Sequence, residues 1–331
     1  MLSYEHRCMG TRCTIQAYHH DAELFERAVR AAMAEIDRLD QLMSTWVPSS
    51  EVSRLNAAAG NGGWIPVSSE TFAVLEKSHW IAKQSHGAFD ITVGAFKGLW
   101  KFDEDNDGSL PARGDVLARL KLVDYRDLLL EPTKSPAASA TQARARLRRA
   151  GQSVTLGGIA KGLVVDRAVA ALRAAGLKSF LMQAGGDLYA AGRHGEREWK
   201  VGIQDPRASH GEERSTDSSF ALLALEDSAF NTSGDYERFI LKDGKRYHHI
   251  LDPRTGYPVS HTRSVTVLAP TSFLADTLDT AVFVLGAEQG MKLIASVPGA
   301  EAVIVDAQNK VHISPGLSGR LRLLRQPSEG P

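Results

Sequence analysis

The sequence predicts an α+β fold with mixed, mainly antiparallel sheets and helices packed on them, and three observations predict it. Short alternating runs meet at hairpin signals, namely Asp243-Gly244, Gly185-Gly186-Asp187 and Gly151. Other segments repeat apolar residues at helical spacing, most plainly Leu24, Phe25, Ala28, Ala32, Ile36, Leu39 and Met43. Finally, 331 residues are enough for one large domain or two lobes with a substantial core.

The elements come in order. Tyr4 to Tyr18 alternates as a first strand with Met9-Gly10-Thr11 inside it. Asp21 caps the long amphipathic helix, and Ser44-Thr45-Trp46 ends it. Pro48 to Glu51 opens a short turn or helix carrying Asn56, and Gly60-Asn61-Gly62-Gly63 marks a loop. Ser69 begins a second amphipathic helix closed by Gly87, followed by a helix-to-strand corner. Residues 103–115 and 132–141 read as exposed connections, and Arg144 to Arg149 as one arm of a hairpin turning at Gly151.

Ser153 to Leu156 is then a strand, Gly157-Gly158 a turn, and the next residues a helix reaching Ala175 and stopped by Gly176. Strands follow at Phe180–Ala191 (two, joined by the Gly-Gly-Asp turn), at Trp199–Asp205 and at Phe220–Leu225. Residues 207–219 form a polar loop between the last two. Lys245 to Asp252 is a strand after the Asp243-Gly244 turn. Thr271 or Ser272 caps a buried helix from Phe273 to Leu285, and Met291 to Ala295 continues as helix. A hairpin of Ala302–Asp306 and Lys310–Ile313 closes the chain, and residues 323–331 are a fraying tail to a unit spanning 4–322.

Composition excludes some functions. Lys plus Arg and Asp plus Glu are 39 each, so no charge bias points to nucleic acid or an acidic membrane. No stretch is long and apolar enough to span a bilayer. The start, MLSYEHRCMGTRC, lacks a basic segment followed by an apolar run, and Cys8 lacks the apolar segment of a lipoprotein signal. The expected location is therefore cytoplasmic, or periplasmic where a leader has been removed. Cys8 and Cys13, five apart in one strand, are expected on opposite faces and hence unbridged, and two cysteines alone make no thiolate zinc site. Asp103, Asp105, Asp107 and Gly108 mimic a calcium loop, but its twelfth position is Gly114 instead of a glutamate, so that reading is rejected.

Chemistry concentrates between Ala229 and Gly286. Asp276 and Thr280, four apart on a helix, share one face, and Asp279 lies close to it. Carboxylate and hydroxyl oxygens suit Mg²⁺ or Ca²⁺, although an acidic first turn also satisfies a helix dipole. His248 and His249 alternate on a strand, so at most one enters a given site and the other packs or caps. His249 shares its face with Tyr247 and Leu251 and is the candidate proton acceptor. The glycine turn before Lys161 offers backbone N–H groups to phosphate, yet it matches no ordinary nucleotide-binding loop, and its glycines could serve close packing alone.

The strings Gly87-Ala-Phe-Asp-Ile-Thr-Val-Gly94, Leu156-Gly-Gly-Ile-Ala-Lys-Gly162, Thr232-Ser-Gly-Asp235, His248-His-Ile-Leu-Asp-Pro-Arg-Thr-Gly-Tyr-Pro258 and Ala275-Asp-Thr-Leu-Asp-Thr280 occur in order, from about Met9 to about Gly286. Together they resemble the ApbE family of flavin transferases, which use FAD to attach FMN to other proteins. The resemblance implies a single two-lobed unit with the nucleotide between the lobes. It implies Mg²⁺ held by the Ala160 carbonyl, Asp276 and Thr280, with His249 as base. It further implies a flavin site of Met9, Trp46, Asn56, Ala88, Phe89, Asp90, Lys161 and Asp166. Trp46 stands where relatives often carry tyrosine, and Asp279 where they carry a small or neutral residue. The implied partners are FAD and a client protein offering a Thr or Ser hydroxyl. An FAD pyrophosphatase with water as acceptor would use the same groups, and a non-catalytic flavin carrier is the third reading.

Overall fold

In the computed structural model, residues 1–102, 105–132, 143–208 and 218–330 are described. Asp103 of the rejected calcium loop, most of the connection at 132–141 and most of the loop at 207–219 lie outside them.

The strands are β1 (Leu2–Cys8), β2 (Thr11–Ala17), β3 (Ile65–Val67), β4 (Leu128–Glu131), β5 (Ala143–Leu147), β6 (Phe180–Ala184), β7 (Asp187–Ala191) and β8 (Trp199–Gln204). They continue as β9 (Ser219–Leu225), β10 (Ser228–Gly234), β11 (Phe239–Lys242), β12 (Lys245–His248), β13 (Thr262–Ala269), β14 (Glu301–Asp306), β15 (Val311–Ile313) and β16 (Leu321–Leu323). The helices are α1 (Ala22–Met43), α2 (Glu51–Ala57), α3 (Ser69–Gln84), α4 (Arg113–Leu120), α5 (Ala160–Ala174) and α6 (Ser272–Ser296).

An eight-stranded antiparallel sheet in the order β1-β2-β6-β7-β10-β13-β14-β15 forms the centre. Helices α1, α5 and α6 cover one face, α6 against β10 and β13 and α5 between α6 and α1. A three-stranded sheet, β16-β9-β8, covers the other, with Trp199, Phe220, Leu223 and Leu225 meeting Leu188, Phe230 and Val303. A strand covered on both sides can expose neither residue parity. Accordingly all five residues of β7 are buried, Leu188 and Ala190 toward the small sheet and Tyr189 and Ala191 toward the helices. A further sheet, β3-β5-β4, sits with α2 and α3.

The structure corrects several expectations. The first strand is a hairpin: Met9 and Gly10, at φ 49° and 69°, make a two-residue turn of the kind that needs positive φ twice. Parity cannot be counted through a turn. Cys8 pairs with Thr11, so Cys13 lies diagonally across on the same face, and the two cysteines are joined as a disulfide with Cα atoms 6.0 Å apart. Residues 153–156 are extended but belong to no sheet, because Asn56 takes up the backbone of Val154; β5 pairs instead with β3 and β4. The corner after Gly87 is a 3-10 helix, Ile91–Phe96, and α4 begins inside a stretch read as loop. Helix α6 bends at Gly286 (φ 75°), whose missing Cβ would lie 2.8 Å from the His261 ring.

Candidate active site

The carboxylate-bearing turn of α6 faces the first turn of α5, and backbone chemistry locks the two together. Thr271 caps α6 through Leu274 N–H, and Asp166 of α5 accepts from Ser272 N–H at 2.8 Å and Phe273 N–H at 3.0 Å. Both Asp166 oxygens are thus engaged in seating α6. Gly162 N–H donates to Asp276 Oδ2 at 2.7 Å. A Cβ on Gly162 would stand 2.3 Å from the Ser272 carbonyl oxygen and 2.7 Å from Asp276 Cβ, so only glycine admits this approach. Ala160, the first residue of α5, is buried at the same turn.

Three carboxylates converge there. Asp187 at the start of β7, Asp276 and Asp279 each place an oxygen within 4.8 Å of the others, and all three are buried. Lys161 Nζ stands 3.3 Å from Asp187 Oδ2 and 3.7 Å from Asp276 Oδ1. Thr280 Oγ1 donates to Asp279 Oδ1 at 3.2 Å and also meets Ser233 Oγ at 3.2 Å. Burial and the neighbouring Asp276 push the Asp187 carboxyl up to about 7 despite Lys161. Burial also raises Asp276, against the pull of Lys161 and Gly162 N–H, and burial with repulsion from Asp276 and Asp187 raises Asp279. For Lys161, burial works against the charge, but the three carboxylates outweigh it and hold the ammonium protonated.

The strand expected to reach Asp252 ends at His248, and His249 lies in the bend beyond it, so the two histidines separate at the strand's end. His248 is buried, with Nε2 on the Val259 carbonyl at 2.6 Å, Nδ1 accepting from Ile250 N–H, and its ring edge-on to Phe283. It is packed and saturated. His249 Nδ1 donates to the Arg238 carbonyl at 3.3 Å, an arrangement that places the acceptor lone pair on Nε2. Burial, then the charges of Arg238, His248 and Lys161, hold this imidazole well below its ordinary value, so it is neutral at pH 7.

The other nominated residues make contacts of their own. Asn56 donates to the Val154 carbonyl at 2.9 Å and accepts its N–H at 2.7 Å, which fixes the run into Gly157-Gly158. Phe89 and Thr280 both lie against Gly158, where a Cβ would stand 3.6 Å from Phe89 Cε2 and 3.3 Å from Thr280 Oγ1. Ala88 is buried beside Phe89. Asp90 accepts from Thr92 N–H and Oγ1 and from Tyr125 N–H, so its carboxylate holds the 3-10 helix and the Tyr125 turn. Met9 occupies the β1–β2 turn, partly buried. Trp46 is 74% exposed, an unusual cost for an indole, with Lys97 Nζ 4.4 Å from its ring centroid.

Sequence reading passed over Asp187 and left Asp279 open. Gly185-Gly186-Asp187 is turn grammar first, and only the pairing of β7 with β10 carries its carboxylate beneath α6. Within Thr232–Asp235, Ser233 reaches Thr280, whereas Asp235 turns away into a bidentate pair with Arg207.

Known proteins resemble this chain in sequence and in fold. A protein of Treponema pallidum (strain Nichols) named FAD:protein FMN transferase is 35% identical over 329 residues, spanning 96% of this chain and 87% of its own. One of the same name from Klebsiella pneumoniae (strain 342) is 29% identical, spanning 94% and 91%. The crystal structure of the ApbE protein from Thermotoga maritima superposes with a TM-score of 0.79 at 29% identity, over 96% of this chain and 98% of that one. The flavin transferase ApbE from Vibrio cholerae gives 0.78 at 26%, over 96% and 98%. The profile of the ApbE family matches residues 9–304, and the chain belongs to that family.

Proposed function

We propose that this chain transfers FMN from FAD to a Thr or Ser hydroxyl of a client protein, with Mg²⁺ bound and AMP released. The observation that carries the reading is one buried constellation. Hard oxygens of Asp276, Asp279, Asp187 and Thr280 gather at the glycine turn of α5, and His249 is held neutral and oriented by the Arg238 carbonyl.

The donor set fits a hard divalent cation. Asp187 Oδ2 is buried with the Lys161 ammonium 3.3 Å away but no well-formed hydrogen bond, and the three clustered carboxylates outnumber that one cation. Asp276, Thr280 and the Ala160 carbonyl would hold the ion, with Asp279 and Asp187 beside them. Bound there, the ion neutralises charge on the pyrophosphate. The chain's own groups do the rest. His249 Nε2 takes the acceptor proton as the hydroxyl oxygen bonds to the FMN phosphorus. The bond from that phosphorus to the bridging oxygen breaks, and AMP leaves with the electron pair. The exposed Trp46 face is available to stack the isoalloxazine.

The test is incubation with FAD, Mg²⁺ and a candidate client, read by mass spectrometry. Client-bound FMN is the expected product, and Asp276→Ala abolishes it while leaving the fold intact. Free FMN alone would make the enzyme a pyrophosphatase, and unchanged FAD would make the chain a carrier.

A further inference from the structure

Lys161 is the cation already seated among the carboxylates. We propose that its ammonium is a placeholder for the divalent ion. It partly neutralises Asp187, Asp276 and Asp279 while the ion is absent, and is driven out toward the dinucleotide's phosphates when the ion enters. The inference rests on the cation-dependent reaction proposed for this site and adds a coupling between cation and dinucleotide that the reaction alone does not require.

Three observations support it. Space is the first: the three ligand oxygens lie within 4.8 Å of one another and Nζ is 3.3 Å from one of them, so an ammonium and a divalent ion compete for the same cage. Charge is the second. One ammonium is outnumbered by three carboxylates, so once all three are ionised it leaves two negative charges uncompensated, and a divalent ion is then favoured over Lys161.

Mobility is the third. The Lys161 side chain keeps 27% of its exposure against 2% for Asp187 and Asp276, so it alone has a way out. Its stem rises from the first turn of α5, and Nζ also touches the Gly157 carbonyl at 3.3 Å. A lysine that swings outward from there remains beside the glycine turn, where helix N–H groups favour phosphate. Asp276 meanwhile stays fixed by Gly162 N–H, so the cage survives the departure. A pyrophosphate thus gives the displaced ammonium a partner, and cation and dinucleotide each tighten the other's binding, as linkage demands.

The test uses metal-free full chain carrying His249→Ala, so that turnover does not intervene. Mn²⁺ binding is followed by loss of the free-ion electron paramagnetic resonance signal, with and without FAD. In this parent, FAD tightens Mn²⁺ binding about tenfold. Lys161→Met binds Mn²⁺ about tenfold tighter without FAD, and FAD then adds little. Lys161→Gln behaves alike and guards against a folding defect in the methionine variant, whereas Lys161→Arg keeps the parent's weak binding. If neutral variants bind Mn²⁺ no tighter while Asp276→Asn abolishes binding, the placeholder is wrong and the cation site stands. If Asp276→Asn binds Mn²⁺ like the parent, the cation site itself is misplaced and both readings fall.

Discussion

At the scale of single residues, the two adjacent histidines make opposite predictions. His249→Ala removes the proton acceptor from a half-buried, oriented imidazole, so transfer falls by about 10²–10⁴-fold while FAD still binds. His248→Ala instead strips the partner from the Val259 carbonyl and opens a hole beside Phe283. Its expected signature is a lower urea midpoint, worth about 2 kcal/mol, with a milder loss of transfer. Equal loss of transfer from both variants would sink the assignment. Because burial and nearby cations lower the His249 value, its neutral form persists below pH 6.5. The acid limb of the rate profile that His249→Ala removes should therefore lie below that pH, and a limb above 6.5 would contradict the environment described. Literal strings brought Ala160, Asp276, Thr280 and His249 to notice. Asp187 escaped because a carboxylate after two glycines looks like a turn, and its role depends on a strand pairing 44 residues away in sequence, Asp187 to Asn231.

At the scale of elements, the site is the seam between α5 and α6. Gly162→Ala drives a methyl group into Ser272 and Asp276, so the seam must open. The expected result is a loss of about 1–3 kcal/mol in stability together with weaker cation binding, measured by denaturant titration and Mn²⁺ binding on the same sample. Unchanged values in both would mean that the helices need not approach so closely. Helix starts were legible where a side chain caps them, as at Asp21 and Thr271. The run 153–156 was misread because its alternation is that of a strand, while its backbone partners are the Asn56 side chain and Ile91 rather than a neighbouring strand. Short-range pattern reports which backbone is extended, not what it pairs with.

At the scale of the whole molecule, Asp187 of the central sheet and Asp276 and Asp279 of α6 are set together into the interior, and stability should register that. Carboxyls raised by burial favour folding while protonated, so their contribution is present at low pH and lost as pH climbs through the folded values, for Asp187 between 3.8 and about 7. Metal-free protein should therefore lose stability relative to Asp187→Asn as pH rises from about 4 to about 7, and saturating Mg²⁺ should flatten that difference. A difference that grows in the opposite direction would exclude a buried, raised Asp187. The α+β class with mainly antiparallel pairing was readable from hairpin signals and helical periodicity. The layering was not, because strands buried on two sides lose the alternation that would reveal which face meets which layer.

The bend at Gly286 divides labour along one helix. Residues up to Leu285 end at their own terminus, where His261 reaches the Val284 carbonyl at 3.2 Å, and the half beyond the bend returns so closely that a Cβ on Gly290 would stand 2.7 Å from Val282 Cγ1. Transplanting residues 287–296 from a distant relative should therefore leave Mn²⁺ affinity untouched only where the glycine at 290 is kept. Gly286→Ala, which would fuse the halves into one rod, should not.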